Sequence, residues 1–387
     1  MQLLKNSVCA PKGFKALGKH IGIKKSGSLD LAVIVSEVLS DAAAVYTSNK
    51  VKGAPLIVTK SHLKNGKAQA IVVNSGIANV CTGKKGLEDA GETAKLAARE
   101  LGIKENDVVV ASTGLIGAYL PMDKIRSGLK NIKSHLSTNS EVAKAILTTD
   151  TLEKEIAVNV DNFTIGAIAK GSGMIHPNMA TMLCFITTDA KISSKKLDKF
   201  LKNSVNKSFN MMSIDMDTST SDMVAILANG LAGSVDEKKF QEALDYVCTE
   251  MSKKIARDGE GATKLIEVEV KNAMTRSDAQ KLAKSIITSN LVKCAIFGND
   301  PNWGRLMCAM GNSNAKFKEN LVDIYFEKEK IVSSGTSSNF NPGEVKKLMN
   351  ADALKITIDI KQGKENAIAY GCDMTYGYIK INARYST

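Results

Sequence analysis

The chain has 387 residues, 44% hydrophobic and 24% charged, which is enough for a large core divided into two or three lobes. No apolar run reaches the length of a membrane helix, and the N-terminal MQLLKNSVCAPKGFKALG lacks the apolar centre of a secretory signal, so a cytoplasmic protein without a membrane partner is expected. The net charge of +12 comes from lysines spread along the chain, and aromatics make up only 5% with one Trp, which argues against a nucleic-acid partner and for a basic, solvated surface.

In chain order, β-branched runs predict strands at 31–35, 56–58, 70–73, 108–111, 163–168, 182–186, 265–270, 321–325, 354–360 and 378–383. Helical periodicity predicts helices at 86–101, 121–134, 140–147, 194–209, 237–258 and 277–295. Asp89, Ser140 and Ser194 are expected in caps or first turns, and Pro121 suits the first turn of the helix it begins. No internal repeat or low-complexity tract occurs. The alternation predicts an α/β fold with sheets covered by helices.

The segment 170–180, KGSGMIHPNMA, is the most conspicuous connection. Two glycines, a proline and an asparagine make it a tight link between buried strands, a place where loops often carry function. Thr181 follows it directly. A threonine hydroxyl is a weak nucleophile, but a threonine made N-terminal by cleavage of the Ala180–Thr181 bond carries its own base, the α-amine. Such an amine titrates near pH ~7.7–8.0. On these residues alone, an ordinary threonine opening a strand is the stronger reading.

Upstream, STGLIG (112–117) follows a strand and precedes a helix, so backbone N–H groups are exposed there. The Thr113 hydroxyl with the Gly114 N–H would form an oxyanion hole; a glycine turn is the alternative. Lys170 and Glu260 are lone charges beside glycines, fit either for the charged ends of an amino acid or for solvent. In NDPNWGR (299–305), Arg305 suggests either a carboxylate contact or a helix start. The seven cysteines include no C-x-x-C pair, and the four histidines are far apart. Reduced, mostly buried thiols and no metal site are therefore expected.

STGLIG, LTTDT, AKGSGMIHPNMATML, DGEGATK, NDPNWGR and the C-terminal INARYST occur in this order, and the chain resembles the ornithine acetyltransferase (glutamate N-acetyltransferase) family from about residue 8 to its end. The resemblance implies αββα-like layers in a fold of the family's own, with chemistry similar to that of N-terminal-nucleophile hydrolases. It implies autocatalytic cleavage between Ala180 and Thr181 into an alpha fragment, 1–180, and a beta fragment, 181–387, assembled as alpha2beta2. By the same resemblance Thr181 is the nucleophile that carries acetyl from N-acetylornithine to glutamate, and Thr113 and Gly114 stabilise the oxyanion. Substrate contacts fall on Thr148 (with Thr149 close behind), Lys170, Thr181, Glu260, Asn382 and Thr387. No metal or cofactor is implied; acetyl-CoA is a co-substrate of some members. An aminopeptidase or amidase using the same nucleophile is the alternative. Two departures from the family pattern fall in SFNMMSIDMDTSTSD (208–222), where Met216 replaces a usual glycine and Ser221 a usual asparagine, which bears on the local turn.

Overall fold

The computed structural model describes residues 1–176 and 182–384. Nine strands form one sheet. Across it run Gln2–Leu4, Lys154–Val160, Phe163–Lys170, Leu183–Ala190, Met223–Gly233, Leu31–Tyr46, Lys67–Ile77 and Val108–Leu115, with Phe14–Lys19 also paired to Leu31–Tyr46. The register of Leu31–Tyr46 breaks between Val35 and Ser40, and this bulge lets its first residues pair with Phe14–Lys19 while its last pair with Met223–Gly233. The two strands that follow residue 181, Leu183–Ala190 and Met223–Gly233, thus stand in the middle of the sheet, flanked on both sides by strands that precede it.

Alternation along the strands sorts the side chains to two faces. On one face, Ile34, Ile71 and Val109 share a continuous core with Ile168, Phe185 and Ala225 from the other half of the sheet. The opposite faces carry helices. Gly83–Leu101 covers one half through a stripe of Ala90, Ala94, Ala97 and Leu101 and ends at Gly102, whose φ of +75° makes a left-handed cap. Ser194–Lys207 and Glu237–Arg257 cover the other half.

A second sheet of seven strands runs Thr336–Ser337, Glu329–Ser333, Asp323–Phe326, Ala353–Asp359, Leu265–Ala273, Glu365–Cys372 and Met212–Ser213. Its Ile266, Val268, Val270, Ile356 and Ile358 pack under the Arg276–Thr288 helix. The Glu237–Arg257 helix touches both sheets: its Lys253 ammonium lies 5.6 Å from the centroid of the Tyr370 ring. The chain is α/β with helix-covered sheets.

Two expected strands are helices. Residues 56–58 lie in Ala54–His62, where Pro55 opens the helix and Ala54, Leu56 and Thr59 form its buried side. Residues 378–382 lie in Tyr376–Asn382, with Ala383 at its C-cap, and Thr375 caps the start by accepting from the Gly377 N–H. The 277–295 helix is two helices, Arg276–Thr288 and Asn290–Phe297, because Ser289 caps the second. The 121–134 and 140–147 helices shorten to Met122–Gly128 and Val142–Ala145, with Pro121 and Glu141 at their N-caps. Ser194 stands in the first turn of its helix, as expected, with Ser193 at the N-cap, whereas Asp89 lies inside its helix, paired with Lys85 at 2.9 Å. Of the cysteines, Cys9, Cys184, Cys248 and Cys372 are buried and Cys81, Cys294 and Cys308 exposed.

Candidate active site

One cleft gathers Thr113, Gly114, Thr148, Lys170, Glu260 and Asn382, six residues spread over most of the sequence. Ala180, Thr181 and Thr387, expected at this site, lie outside the described residues.

The first wall comes from the parallel strands Lys67–Ile77 and Val108–Leu115, where Gly76 stands opposite Gly114. Gly114 has φ +126°, and a Cβ there would lie 2.3 Å from the Gly76 carbonyl carbon, so only glycine lets the backbones approach. Thr113 is 8% exposed and borders the cleft at the ends of these strands. The Ser112 hydroxyl donates to Asn74 Oδ1 at 2.5 Å.

The second wall is the end of Phe163–Lys170 and the loop after it. Asp150 organises it from below. Its side chain is fully buried and accepts from Lys154 Nζ at 2.7 Å and from the Gly171 N–H at 2.6 Å, with the Lys170 ammonium 3.9 Å away. Burial drives the Asp150 carboxyl upward. The Lys170 and Lys154 charges, with the hydrogen bonds from Lys154 and Gly171, outweigh burial and hold the carboxyl at about 2. Lys154 is itself buried and also donates to Asp258 at 2.5 Å. The Thr148 N–H donates to Asp150 Oδ2 at 3.1 Å, whereas the Thr149 hydroxyl is 2.6 Å from the Ser172 hydroxyl. Both threonines border the cleft. Leu183 pairs with Lys170, and the Met182 carbonyl accepts from the Met223 N–H at 2.9 Å, so the residue bonded to Thr181 is anchored beside this wall.

A folded-state pKa depressed below the unfolded one contributes stability above the unfolded value, and that stability is lost as pH falls through the folded value. Asp150 therefore predicts a loss of about 2 kcal/mol between pH ~4 and ~2. Urea unfolding across this window checks it: Asp150→Asn should flatten that part of the stability curve, and an unchanged slope would contradict the buried network.

The third wall joins segments from the second half of the chain. Asp215 accepts from the N–H groups of Met174 and Ile175 at 2.6 and 2.8 Å and so fixes the loop ahead of residue 177. Met216 follows with φ +70°, a left-handed conformation that suits glycine, which explains the glycine expected at this turn. The Ser221 hydroxyl and Asp222 Oδ2 are buried without hydrogen-bond partners among the described residues, and burial pushes the Asp222 carboxyl far up. The Glu260 N–H donates to the Ser172 carbonyl at 2.8 Å, and its carboxylate lies where a Cβ on Gly173 would be, 2.4 Å away. Asn382 Nδ2 donates to Glu260 Oε2 at 2.9 Å. The helix carrying Asn382 docks on Gly261, where a Cβ would come within 2.4 Å of the Tyr378 nitrogen, and Thr375 Oγ1 donates to the Gly261 carbonyl at 2.6 Å.

Asp150, Asp215 and Tyr378 also shape the cleft and were not singled out from sequence. Asp150 sits in the LTTDT segment already noted, and Asp215 in SIDMD. Tyr378 carried no signal, because its segment read as a strand. Arg305 is not in the cleft: Asn302 caps the Trp303–Gly311 helix, and Arg305 Nη1 donates to the Leu291 carbonyl at 2.8 Å. Among the described residues no group of three or more His, Cys, Asp or Glu side chains is placed to hold a metal ion. No helix among them is long and apolar enough to cross a membrane.

The profile described as ArgJ family matches residues 15–387. The chain belongs to the ArgJ family. ArgJ-family relatives named arginine biosynthesis bifunctional protein ArgJ include one from Caldanaerobacter subterraneus subsp. tengcongensis, 47% identical over 404 residues, and one from Streptococcus thermophilus, 47% identical over 399 residues, each covering 100% of both chains. A solved ArgJ structure, the arginine biosynthesis bifunctional protein from Bacillus halodurans, is 41% identical with a TM-score of 0.50. Its match covers 51% of this chain and 97% of that one.

Proposed function

We propose that this chain is an acetyltransferase of arginine biosynthesis that cuts itself between Ala180 and Thr181 and moves acetyl from N-acetylornithine to glutamate through an acetyl-Thr181 ester. The observation that carries the reading is the cleft itself. It collects Thr113, Gly114, Thr148 and Lys170 from before the proposed cut with Glu260 and Asn382 from after it. Among the described residues it also sets the Lys170 ammonium against the carboxylates of Asp215, Asp217 and Glu260. That balance suits a substrate with one carboxylate and a further cationic end, as N-acetylornithine has. The arginine-biosynthesis names of the full-length relatives point the same way.

In the proposed sequence Thr181 Oγ attacks the acetyl carbonyl while the α-amine of Thr181 takes the hydroxyl proton. The Thr113 hydroxyl and Gly114 N–H hold the oxyanion. The ornithine amine leaves with the proton from the same α-amine. Glutamate then enters and its amine attacks the ester carbonyl, giving a proton to the Thr181 α-amine; the ester C–O bond breaks, the α-amine returns the proton to Thr181 Oγ, and N-acetylglutamate leaves. Lys170 receives the substrate carboxylate and Glu260, held by Asn382, the cationic end; Thr148 and Thr387 complete the contacts. Water must stay out during the ester's lifetime, or the enzyme becomes a hydrolase. Acetyl-CoA is the donor we propose for the second activity that the relatives' word "bifunctional" denotes.

The sheet order supports fragments that stay together after the cut. Leu183–Ala190 pairs with Phe163–Lys170 and Met223–Gly233 with Leu31–Tyr46, so two interfaces of ladder hydrogen bonds join 1–180 to 181–387. The match to about half of this chain by nearly the whole solved Bacillus halodurans chain fits one fragment of a cut precursor. An alpha2beta2 assembly in the cytoplasm completes the proposal. Intact-protein mass spectrometry tests it: two fragments are expected, and brief exposure to N-acetylornithine should add one acetyl group to 181–387. Glutamate should then remove that group as N-acetylglutamate. Release of free acetate at the same rate without glutamate would instead make the enzyme an amidase.

A further inference from the structure

Outside the acyl-transfer cleft, a cavity of about 520 Å³ opens between the Ser194–Lys207 helix and the start of the Arg276–Thr288 helix. We propose that this cavity binds an oligophosphate anion. The inference stands independently of the acetyl-transfer reading.

Among the described residues four cations border the cavity, Lys207, Arg276, Lys281 and Lys284, and none of those bordering it carries a carboxylate. Three of them, Lys207, Arg276 and Lys281, are exposed at the rim, and Lys284 is half-buried deeper in. Like charges around one hollow repel one another, and a polyanion seated among them removes that repulsion. Lys207 shares its charge with Asp245 at 2.6 Å. Arg276 has no hydrogen-bond or ion-pair partner among the described residues, so its planar fork is available for bidentate phosphate recognition. Burial pulls the Lys284 pKa down.

Backbone geometry adds a second, independent contribution. Arg276 and Ser277 begin a helix of 13 residues, and their N–H groups have no intrahelical partner. Together with the helix dipole they favour negative charge at this end. Asp278, the acid of that first turn, is turned away: it accepts from Thr275 Oγ1 at 2.6 Å and from the Lys316 N–H at 3.1 Å. Asn206 and Gln280 supply amide donors between the cations. Cations on two facing helices, rather than at one point, fit an extended anion carrying two or more phosphates.

Isothermal titration of the purified full chain with inorganic pyrophosphate tests the site. Arg276→Glu combined with Lys281→Glu should weaken binding by at least about tenfold, since both charge-assisted partners are reversed. Both residues are exposed, and an unchanged melting temperature will verify the fold. Lys5→Glu with Lys133→Glu makes the same change in net charge at exposed positions outside the cavity and should leave binding intact. Titration with adenosine 5′-diphosphate separates the two sources of the chemistry. Equal affinity for both ligands indicates an inorganic anion, and tighter diphosphate binding, lost in the same cavity variant, indicates a nucleotide. No saturable binding of either ligand, or equal weakening by both pairs of substitutions, would overturn the proposal.

Discussion

Thr181→Ala should yield one uncut chain near 41.4 kDa with no measurable acetyl transfer. The expectation follows from two demands on one residue. Cleavage needs the Thr181 hydroxyl to attack the Ala180 carbonyl; transfer needs the same hydroxyl to attack the acetyl carbonyl, with the newly exposed amine as base. Alanine removes the nucleophile from both steps, so the loss exceeds the ~10²–10³ of a single oxyanion donor. Thr181→Ser keeps a hydroxyl and an amine and should still give two fragments, more slowly. The alanine variant should melt as a folded protein, because Met182 and Leu183 keep their bonds to Met223 and Lys170 whatever side chain stands at 181. Denaturing electrophoresis and a coupled assay for N-acetylglutamate read both effects. Two fragments from Thr181→Ala would remove the basis of the mechanism, whereas an uncut but fully active wild-type chain would separate transfer from cleavage.

The strands most legible in sequence are those buried on both faces, such as Val108–Leu115 and Phe163–Lys170, because near-continuous β-branched runs have few other readings. The same logic failed at 56–58. Leu56, Ile57 and Val58 look like a strand in isolation, yet Gly53 and Pro55 set a helix start, and across Ala54–His62 the buried and exposed positions follow a helical period. It failed again at 378–383, where the helix buries nothing and is fixed by contacts to Gly261. A helix held by a neighbour's glycine leaves no amphipathic trace of its own. The site divides in the same way. Thr113, Gly114, Lys170 and Glu260 were named through short motifs, but the buried ion network beneath them was not. Lys154 and Asp258 lie 104 residues apart, and Asp215 reaches the backbone of Met174 across 41. Pairings of that kind are set by topology, and a single sequence carries no local signal for them. Met216 is the reverse case: an unusual residue at an expected glycine drew notice to this turn, and the structure gives it a left-handed φ of +70°.

Gly114→Ala should abolish activity and destabilise the chain, and the reason is backbone geometry rather than lost chemistry. The added Cβ would lie 2.3 to 2.7 Å from three backbone atoms of Gly76, and φ +126° is strained for any residue with a side chain. Lys67–Ile77 cannot yield easily, because it pairs with Leu31–Tyr46 on one side and Val108–Leu115 on the other. Overpacking and strain together suggest a cost of about 2–5 kcal/mol. Gly91→Ala is the matched comparison: Gly91 sits in the Gly83–Leu101 helix with nothing within 4 Å of its Cβ position, so the same change should stabilise by up to about 1 kcal/mol. Thr113→Ala separates fold from chemistry at the neighbouring residue. It leaves the backbone as it is and removes a hydroxyl and one methyl group, so the melting temperature should fall far less than in Gly114→Ala while kcat falls by about 10²–10³-fold. If Thr113→Ala instead left kcat intact, Thr113 would be only a wall of the cleft. The oxyanion would then rest on the Gly114 N–H alone, and the loss in Gly114→Ala would have to be read as displacement of that single donor.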